Sequence, residues 1–438
     1  MKRLKEKELV VKGFLLVTGI IFPMFANAQT GKHYTLEEFV RSAYEKYPYA
    51  NQLELLQAQS RESSKAIDAQ WLPYASASIK NSYQSEISSI SIPKDVEDKF
   101  GIDISEGKRL QYQGGLSVSQ LIYDGGTGSI KKKISKLNSN AESYQVKSKM
   151  LQIEDAIDNL FENILLIKEQ IKTILFKKAD LKLRKKDVSI AIQNGISLKT
   201  DIQEIEANII QLNQQETELR MSLRQQYIAL SSYAQEPVDS NVIFELPGVP
   251  DAMDRNYSTR PDYQIFGLQL KNADWKLKEL NADFVPRLSL FANGYYGRPG
   301  LNMMNYSNHC SGIVGVSLTW NIGAMYNNTH QRNLINIDKE KTRNQQTLYE
   351  IEMNRKIDDL NVNLLKNQEL ANSDDKIIEI RSNIKDVASI QLRNGSITLT
   401  DYLIKLNDEA QAMVNKSIHH IEYLMDGAKM KTLLNRNN

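Results

Sequence analysis

QNGISLKTD, residues 193–201, returns at an offset of 200 positions as RNGSITLTD, residues 393–401. Asn194-Gly195 matches Asn394-Gly395, and Thr200-Asp201 matches Thr400-Asp401. The same offset relates Ile157-Asp158 and Leu160 to Ile357-Asp358 and Leu360, and Gly115 and Ser117 to Gly315 and Ser317. An offset held over such a span implies an internal two-fold repeat whose helices have equal lengths in both halves. Upstream, Trp71-Leu72-Pro73 matches Phe284-Val285-Pro286 at an offset of 213, which predicts a longer loop in the first half.

Proline sets the grain of the chain. None occurs between Pro93 and Pro237, and none follows Pro299. Those stretches carry apolar residues at helical spacing, for example Leu151, Ile153, Ile157, Leu160, Ile164, Leu165, Ile167 and Ile171. A continuous helix from Ile130 to Gln193 would be roughly 95 Å long, a coiled-coil-like rod rather than part of a globule. Pro237, Pro247, Pro250 and Pro261 cluster between the halves and read as a linker. The expected divisions are a first repeat over 29–234, a linker over 235–259 and a second repeat over 260–438.

Residues 1–28 read as an export signal. Lys2, Arg3, Lys5, Lys7 and Lys12 precede an apolar run from Gly13, and Ala26-Asn27-Ala28 supplies a small-x-small cleavage site before Gln29. No comparable apolar run follows. A mature protein resident in a membrane must then cross it as a β-barrel, because lipid does not tolerate unpaired backbone groups; otherwise it is soluble in the periplasm.

The formal net charge of +2 gives no basic footprint for nucleic acid. A single cysteine, Cys310, excludes an internal disulfide framework. His419 and His420 are adjacent, point to different sides of a helix and make a poor metal pair. Gly125-Gly126-Thr127-Gly128 lacks the Lys-Ser/Thr of a phosphate loop, and Lys131-Lys132-Lys133 reads as a solvated helix face. No nucleophile–base arrangement stands out. The expectation is a non-enzyme without cofactor or metal.

Two short stretches in each half alternate with the period of a strand. Val314, Val316, Leu318, Trp320 and Ile322 alternate with Gly315, Ser317, Thr319 and Asn321. In the first half Leu116, Val118 and Ile122 stand against Gly115, Ser117 and Ser119. Leu288 to Ala292 and Ala75 to Ile79 alternate more weakly. This gives β-hairpins over about 73–123 and about 286–322. Lipid-facing barrel strands around a wet interior fit the alternation, and so does an ordinary half-buried sheet. Tyr123, Trp320 and Tyr326 fall at strand ends, where an interfacial aromatic belt would lie. Four strands cannot close a barrel, since closure starts at about eight, so several subunits would have to contribute.

The order of motifs resembles the TolC family of outer-membrane efflux proteins. The first half opens with Thr35-Leu36-Glu37-Glu38, a capping box, then Ala43 and Tyr47-Pro48. The second runs from Arg260-Pro261-Asp262 to Pro286-Arg287-Leu288-Ser289-Leu290. Leu121-Ile122-Tyr123-Asp124-Gly125-Gly126 is similar to the family's exit from the first hairpin. The resemblance implies a mixed, mainly α fold with four membrane strands per chain. Three chains would pool them into a twelve-stranded β-barrel continued by an α-helical periplasmic tunnel. It implies an outer-membrane channel subunit of a tripartite efflux or type I secretion system, a passive duct extending into the periplasm. Its partners would be two further copies, a periplasmic adaptor, an inner-membrane pump and outer-membrane lipid. The cargo stays open.

Locally, Asn194-Gly195 and Asn394-Gly395 read as helix-ending turns, with Thr200 or Asp201 capping the helix that follows. By the resemblance, Asn194, Gly195, Asn394 and Gly395 form the adaptor-docking tip, and Asp401, with Asp201, narrows the pore. The family pattern is departed from in several places. Asn precedes each tip glycine where an apolar residue is usual, and Ile404 replaces an acid one turn beyond Asp401, with Glu204 in the first half. Trp320-Asn321-Ile322-Gly323 has no Asp-Gly-Gly. The rival class is an exported coiled-coil adhesin or envelope scaffold, which accounts for the helices and signal but not for the duplicated hairpins.

Overall fold

The computed structural model describes residues 33–86, 96, 99, 101, 108–195, 197–240, 242–248, 255–302 and 307–434. The export signal and its cleavage site lie outside the described residues.

Strand β1 (His33–Tyr34) leads into helix α1 (Leu36–Lys46). The Thr35–Glu38 capping box is made in both directions: Glu38 N–H donates to Thr35 Oγ1 at 3.3 Å and Thr35 N–H to Glu38 Oε2 at 3.0 Å. Tyr47 is extended, as a residue before proline must be, and this separates α1 from α2 (Tyr49–Asp68). Strands β2 (Tyr74–Tyr83) and β3 (Leu110–Tyr123) follow, then α3 (Thr127–Gln193) and α4 (Lys199–Ala234). After β4 (Ile243–Phe244) the second half runs α5 (Pro261–Ala282), β5 (Arg287–Arg298), β6 (His309–Thr319), α6 (Met325–Arg393) and α7 (Leu399–Leu433). At 67 residues α3 is roughly 100 Å of unbroken helix.

The four long strands form one antiparallel sheet in the order β2-β3-β5-β6. β2 and β6 are its edges. Among the described residues neither edge is paired on its outer side, and β2 is exposed along nearly its whole length.

Away from the sheet, packing concentrates in two places. In the middle of the rods, β1 pairs in parallel with β4, so the linker ties back to the start of the first half. Phe244 there stacks on Tyr227 at 5.9 Å and Phe39 at 5.8 Å, and meets Phe161 edge-on at 5.2 Å. Phe39 and Phe161 are wholly buried, each contributing about 1.5–3 kcal/mol by burial. At the far end from the sheet, Leu181, Val188, Ile205, Leu399, Tyr402 and Leu406 join α3, α4 and α7.

Candidate functional site

Strand register decides which side chains share a face, because the side-chain period is two. Ala77 pairs with Leu116 and Ala75 with Val118, Val118 with Ala292, and Ala292 with Val314. Leu290 pairs with Val316, and Leu288 with Leu318. One face of the sheet is therefore mainly apolar, interrupted by Gln120 opposite Leu290, and Ile79, Leu116, Leu290, Val314, Val316 and Leu318 are all exposed on it. The opposite face carries Ser76, Ser78, Gln113, Ser117, Ser119, Ser289, Asn293, Ser311, Ser317 and Thr319, with Tyr74, Leu121, Phe291, Tyr295 and Ile313 among them.

Aromatic rows bound the apolar field at both ends. Tyr83, Tyr112 and Tyr296 stand on that face at the loop end, by their pairing with Leu110, Asn81 and Cys310. At the helix end the register of β3 shifts between Leu121 and Tyr123, and Tyr123 pairs with Leu288. Without that bulge Tyr123 would share the polar face of Leu121 and Ser119; the extra residue turns it to the apolar face. Trp320, next in the alternation after Leu318, joins it there and donates from Nε1 to the carbonyl of Phe284 at 2.9 Å. From Leu288 to Tyr296 the strand rises roughly 27 Å, the scale of the apolar band of about 25 Å on a membrane barrel.

The sheet passes into helix through Asp124, which is buried. Its carboxylate accepts from Gly126 N–H at 2.8 Å and Gly128 N–H at 2.6 Å, satisfying donors at the start of α3. The second half has no such residue, and a short 3₁₀ turn at Ile322–Ala324 makes its joint.

At the opposite end, Gly195 and Gly395 take φ of 74° and 68°. The Gly395 and Ser396 N–H groups donate to the carbonyls of Leu392 and Gln391, a Schellman closure. Asn194 keeps φ at −89°, so glycine alone supplies the left-handed residue. The capping expectation needs correction: neither Thr200 nor Asp201 is the N-cap. Leu198 and Thr398 hold that position, and Asp201 and Asp401 sit three residues on. Asp401 Oδ2 accepts from the Thr398 backbone at 3.1 Å and its hydroxyl at 2.7 Å, while Asp401 N–H donates to Thr398 Oγ1 at 3.2 Å. Asp201 Oδ2 accepts from Leu198 N–H at 3.0 Å, and leucine has no oxygen to return the bond. The Thr398 hydroxyl, then its backbone, hold the Asp401 carboxyl below its usual pKa. The two turns lie side by side, with Thr400 Oγ1 donating to Glu204 Oε1 at 3.4 Å.

Just behind them Tyr402, fully buried, donates its hydroxyl to Asp180 Oδ2 at 2.5 Å, fastening the first turn of α7 to α3. Burial raises the Tyr402 pKa, so it remains a donor. The Arg184 guanidinium lies 5.6 Å from the Tyr402 ring centre and donates to Asp187 at 2.7 Å and Ser389 at 3.0 Å. One buried cluster thus holds α3, α6 and α7 together at the tip.

No protein-family model matches the sequence, and no curated protein does. Solved structures do match. VceC, an outer membrane protein of Vibrio cholerae, aligns at a TM-score of 0.69 and 13% identity over 91% of this chain and 95% of its own. The outer-membrane channel OprN aligns at 0.69 and 14% over 91% and 89%, and the CmeC outer membrane channel of Campylobacter jejuni at 0.68 and 16% over 92% and 86%.

The chain has the outer-membrane channel fold.

On that fold the sheet and the paired turns lie at opposite ends of the long helices. Asn194, Gly195, Asn394, Gly395, Asp201 and Asp401 all fall at the second end, and the structure brings the two turns together. Sequence reading did not single out Tyr402, Asp180 or Arg184. Their one signal was the apolar spacing of Leu399, Leu403 and Leu406, which marks a buried stripe but not the hydroxyl within it. Among the described residues no group of three or more His, Cys, Asp or Glu could hold a metal, and no helix is long and apolar enough to cross a membrane.

Proposed function

We propose that this chain is one of three subunits of a passive exit duct in an outer membrane, its helices reaching into the periplasm. What supports the reading most is the sheet: a mainly apolar exposed face bounded by aromatic residues at both ends, with a more polar opposite face and two edges unpaired among the described residues. Buried against lipid, the apolar face loses its contact with water; paired β2 to β6 between copies, the edges satisfy their backbone groups.

A second seam supports the oligomer. Leu334, Ile337, Leu348, Ile351, Val362 and Leu365 on α6 are each more than half exposed. They repeat in pairs three apart every 14 residues, or two heptads, with Lys341, Asn344, Arg355 and Asp358 at the heptad positions between them. A helix of a neighbouring copy would cover them.

In such an assembly three copies of Asp401, and of Asp201 with Glu204, would ring the axis at the tip and favour cations over anions. Asn194, Gly195, Asn394 and Gly395, at the outermost surface, would meet a periplasmic adaptor that opens the duct for an inner-membrane pump. The depressed pKa of Asp401 favours its ionised form.

Reconstitution of purified protein in planar bilayers tests the duct. Discrete conductance from heat-modifiable oligomers recovered in the outer-membrane fraction is expected. A soluble periplasmic rod without conductance would instead support the envelope-scaffold reading.

A further inference from the structure

Among the described residues of the four long strands, a single charged side chain stands on the mainly apolar face. It is Arg298, the last residue of β5, placed there by its pairing with Tyr112. A cation on a lipid-covered surface is costly unless it reaches the water interface or meets an anion. Arg298 lies one step beyond Tyr296, at the loop end, which brings it to the interface. The chain itself supplies no anion. Nε is shut away from water without a partner, and among the described residues no carboxylate or carbonyl accepts from the guanidinium. The group is nonetheless fixed in place: its central carbon lies 4.9 Å from the centre of the Tyr112 ring, a cation–π contact. Neutral groups able to donate surround it. Asn81, Tyr112 and Arg298 pair from strand to strand in one row across the sheet. Tyr296 stands one step inward and Tyr83 one step outward, and their side chains are 56% and 69% exposed. No Asp or Glu occupies this face of the strands to compete for the guanidinium.

We propose that Arg298, aided by Asn81 and the hydroxyls of Tyr83, Tyr112 and Tyr296, binds the phosphate of an anionic lipid headgroup at the loop-side edge of the membrane. The proposal rests on the reading of the apolar face as covered by lipid. A guanidinium is a planar fork of donors that matches phosphate oxygens, and a fork already fixed on a ring loses little freedom on binding. A lipid, rather than free phosphate, is the occupant because the site continues into the apolar face. Ile79 and Leu116 lie next inward on β2 and β3 past Asn81 and Tyr112, along the path the acyl chains would take. The helix end of the face has no counterpart. Arg287, at that end of β5, pairs with Thr319 on the opposite face and forms an ion pair with Asp283 at 3.4 Å. Tyr123 and Trp320 stand there without a cation, and Trp320 already donates to the carbonyl of Phe284.

Native mass spectrometry of the full-length protein in detergent provides the test. The protein is titrated with phosphatidylglycerol, or with a galactosyl diacylglycerol of the same acyl chains, which lacks the phosphate. Wild type should retain phosphatidylglycerol about tenfold more tightly than the uncharged lipid. Arg298→Gln should erase that preference, and Arg298→Lys, which keeps the charge without the fork, should keep only part of it. Arg287→Gln, which removes the cation of the opposite face, should behave as wild type. Inorganic phosphate in large excess should leave the lipid bound; its displacement would reveal a free-anion site and overturn the lipid assignment. Equal retention of the two lipids by wild type overturns the proposal without need of any variant, and so does a preference that survives in Arg298→Gln. Lipid retention is measured apart from conductance. Protein that conducts but shows no preference loses the headgroup site alone, whereas a soluble rod that retains neither lipid loses the membrane reading as well.

Discussion

The ring of Tyr295 lies across Gly115 on the neighbouring strand, so close that a Cβ at Gly115 would stand 2.5 Å from Tyr295 Cδ1. Gly315, 200 positions on, is covered in the same way by Phe291, whose Cζ would be 2.8 Å from a Cβ there. Both rings belong to β5, and both stand on the polar face of the sheet. Glycine removes the side chain from one strand so that an aromatic of the next can lie flat over it, closing a gap in the ladder. Gly115→Val should displace the ring and destabilise the sheet by about 1–3 kcal/mol, seen as oligomers that dissociate at lower temperature in detergent. Adding Tyr295→Ala should recover part of that loss. Equal stability of Gly115→Val and wild type would show that the ring does not need the glycine.

Tyr402→Phe keeps the buried ring and removes the bond to Asp180. Leaving that carboxylate without its donor should cost on the order of 1–3 kcal/mol at the tip alone. In bilayers the variant should conduct more than wild type while assembling normally. Unchanged conductance would mean that the bond does not hold the tip closed.

Asp401→Asn separates two roles that one carboxylate combines. The amide oxygen can still accept from Thr398, so assembly should be unaffected. The lost charge should weaken block of the channel by multivalent cations, and Asp201→Asn should do so less. Cation block equal to wild type in both variants would reduce these aspartates to caps.

The fold was readable where its determinants are local. Absent prolines and helical spacing gave the rods, the Asn-Gly turns gave the reversals, and Val314 to Leu318 gave the clearest strand. What depends on register was not readable. Tyr83, Tyr112 and Tyr296 form a row only once three strands are paired, and Tyr123 reaches the apolar face only through a bulge. Asp180 and Tyr402 are 222 positions apart, and nothing local marks either as the other's partner. The same holds for Asp158, which is buried beside Thr432 of α7, while Asp358, 200 positions on, forms an exposed ion pair with Arg255: equal sequence motifs meet unequal packing.

At the tip, Gly395→Ala should cost about 1 kcal/mol through its left-handed backbone and leave oligomers intact. Gly395→Arg adds bulk and charge to an exposed turn, and should abolish export by living cells at normal oligomer yield. Normal export would remove the docking role.

Placement of the apolar face against lipid carries the whole functional reading. Spin labels attached one at a time to residues 311, 313, 314 and 316–319, in a Cys310→Ser background reconstituted into bilayers, measure it directly by collision with oxygen or with a water-soluble nickel reagent. The account predicts alternation with a period of two: Val314, Val316 and Leu318 reached by oxygen, and Ser311, Ile313, Ser317 and Thr319 reached by the nickel reagent. Equal access of the nickel reagent to both sets of positions would contradict it.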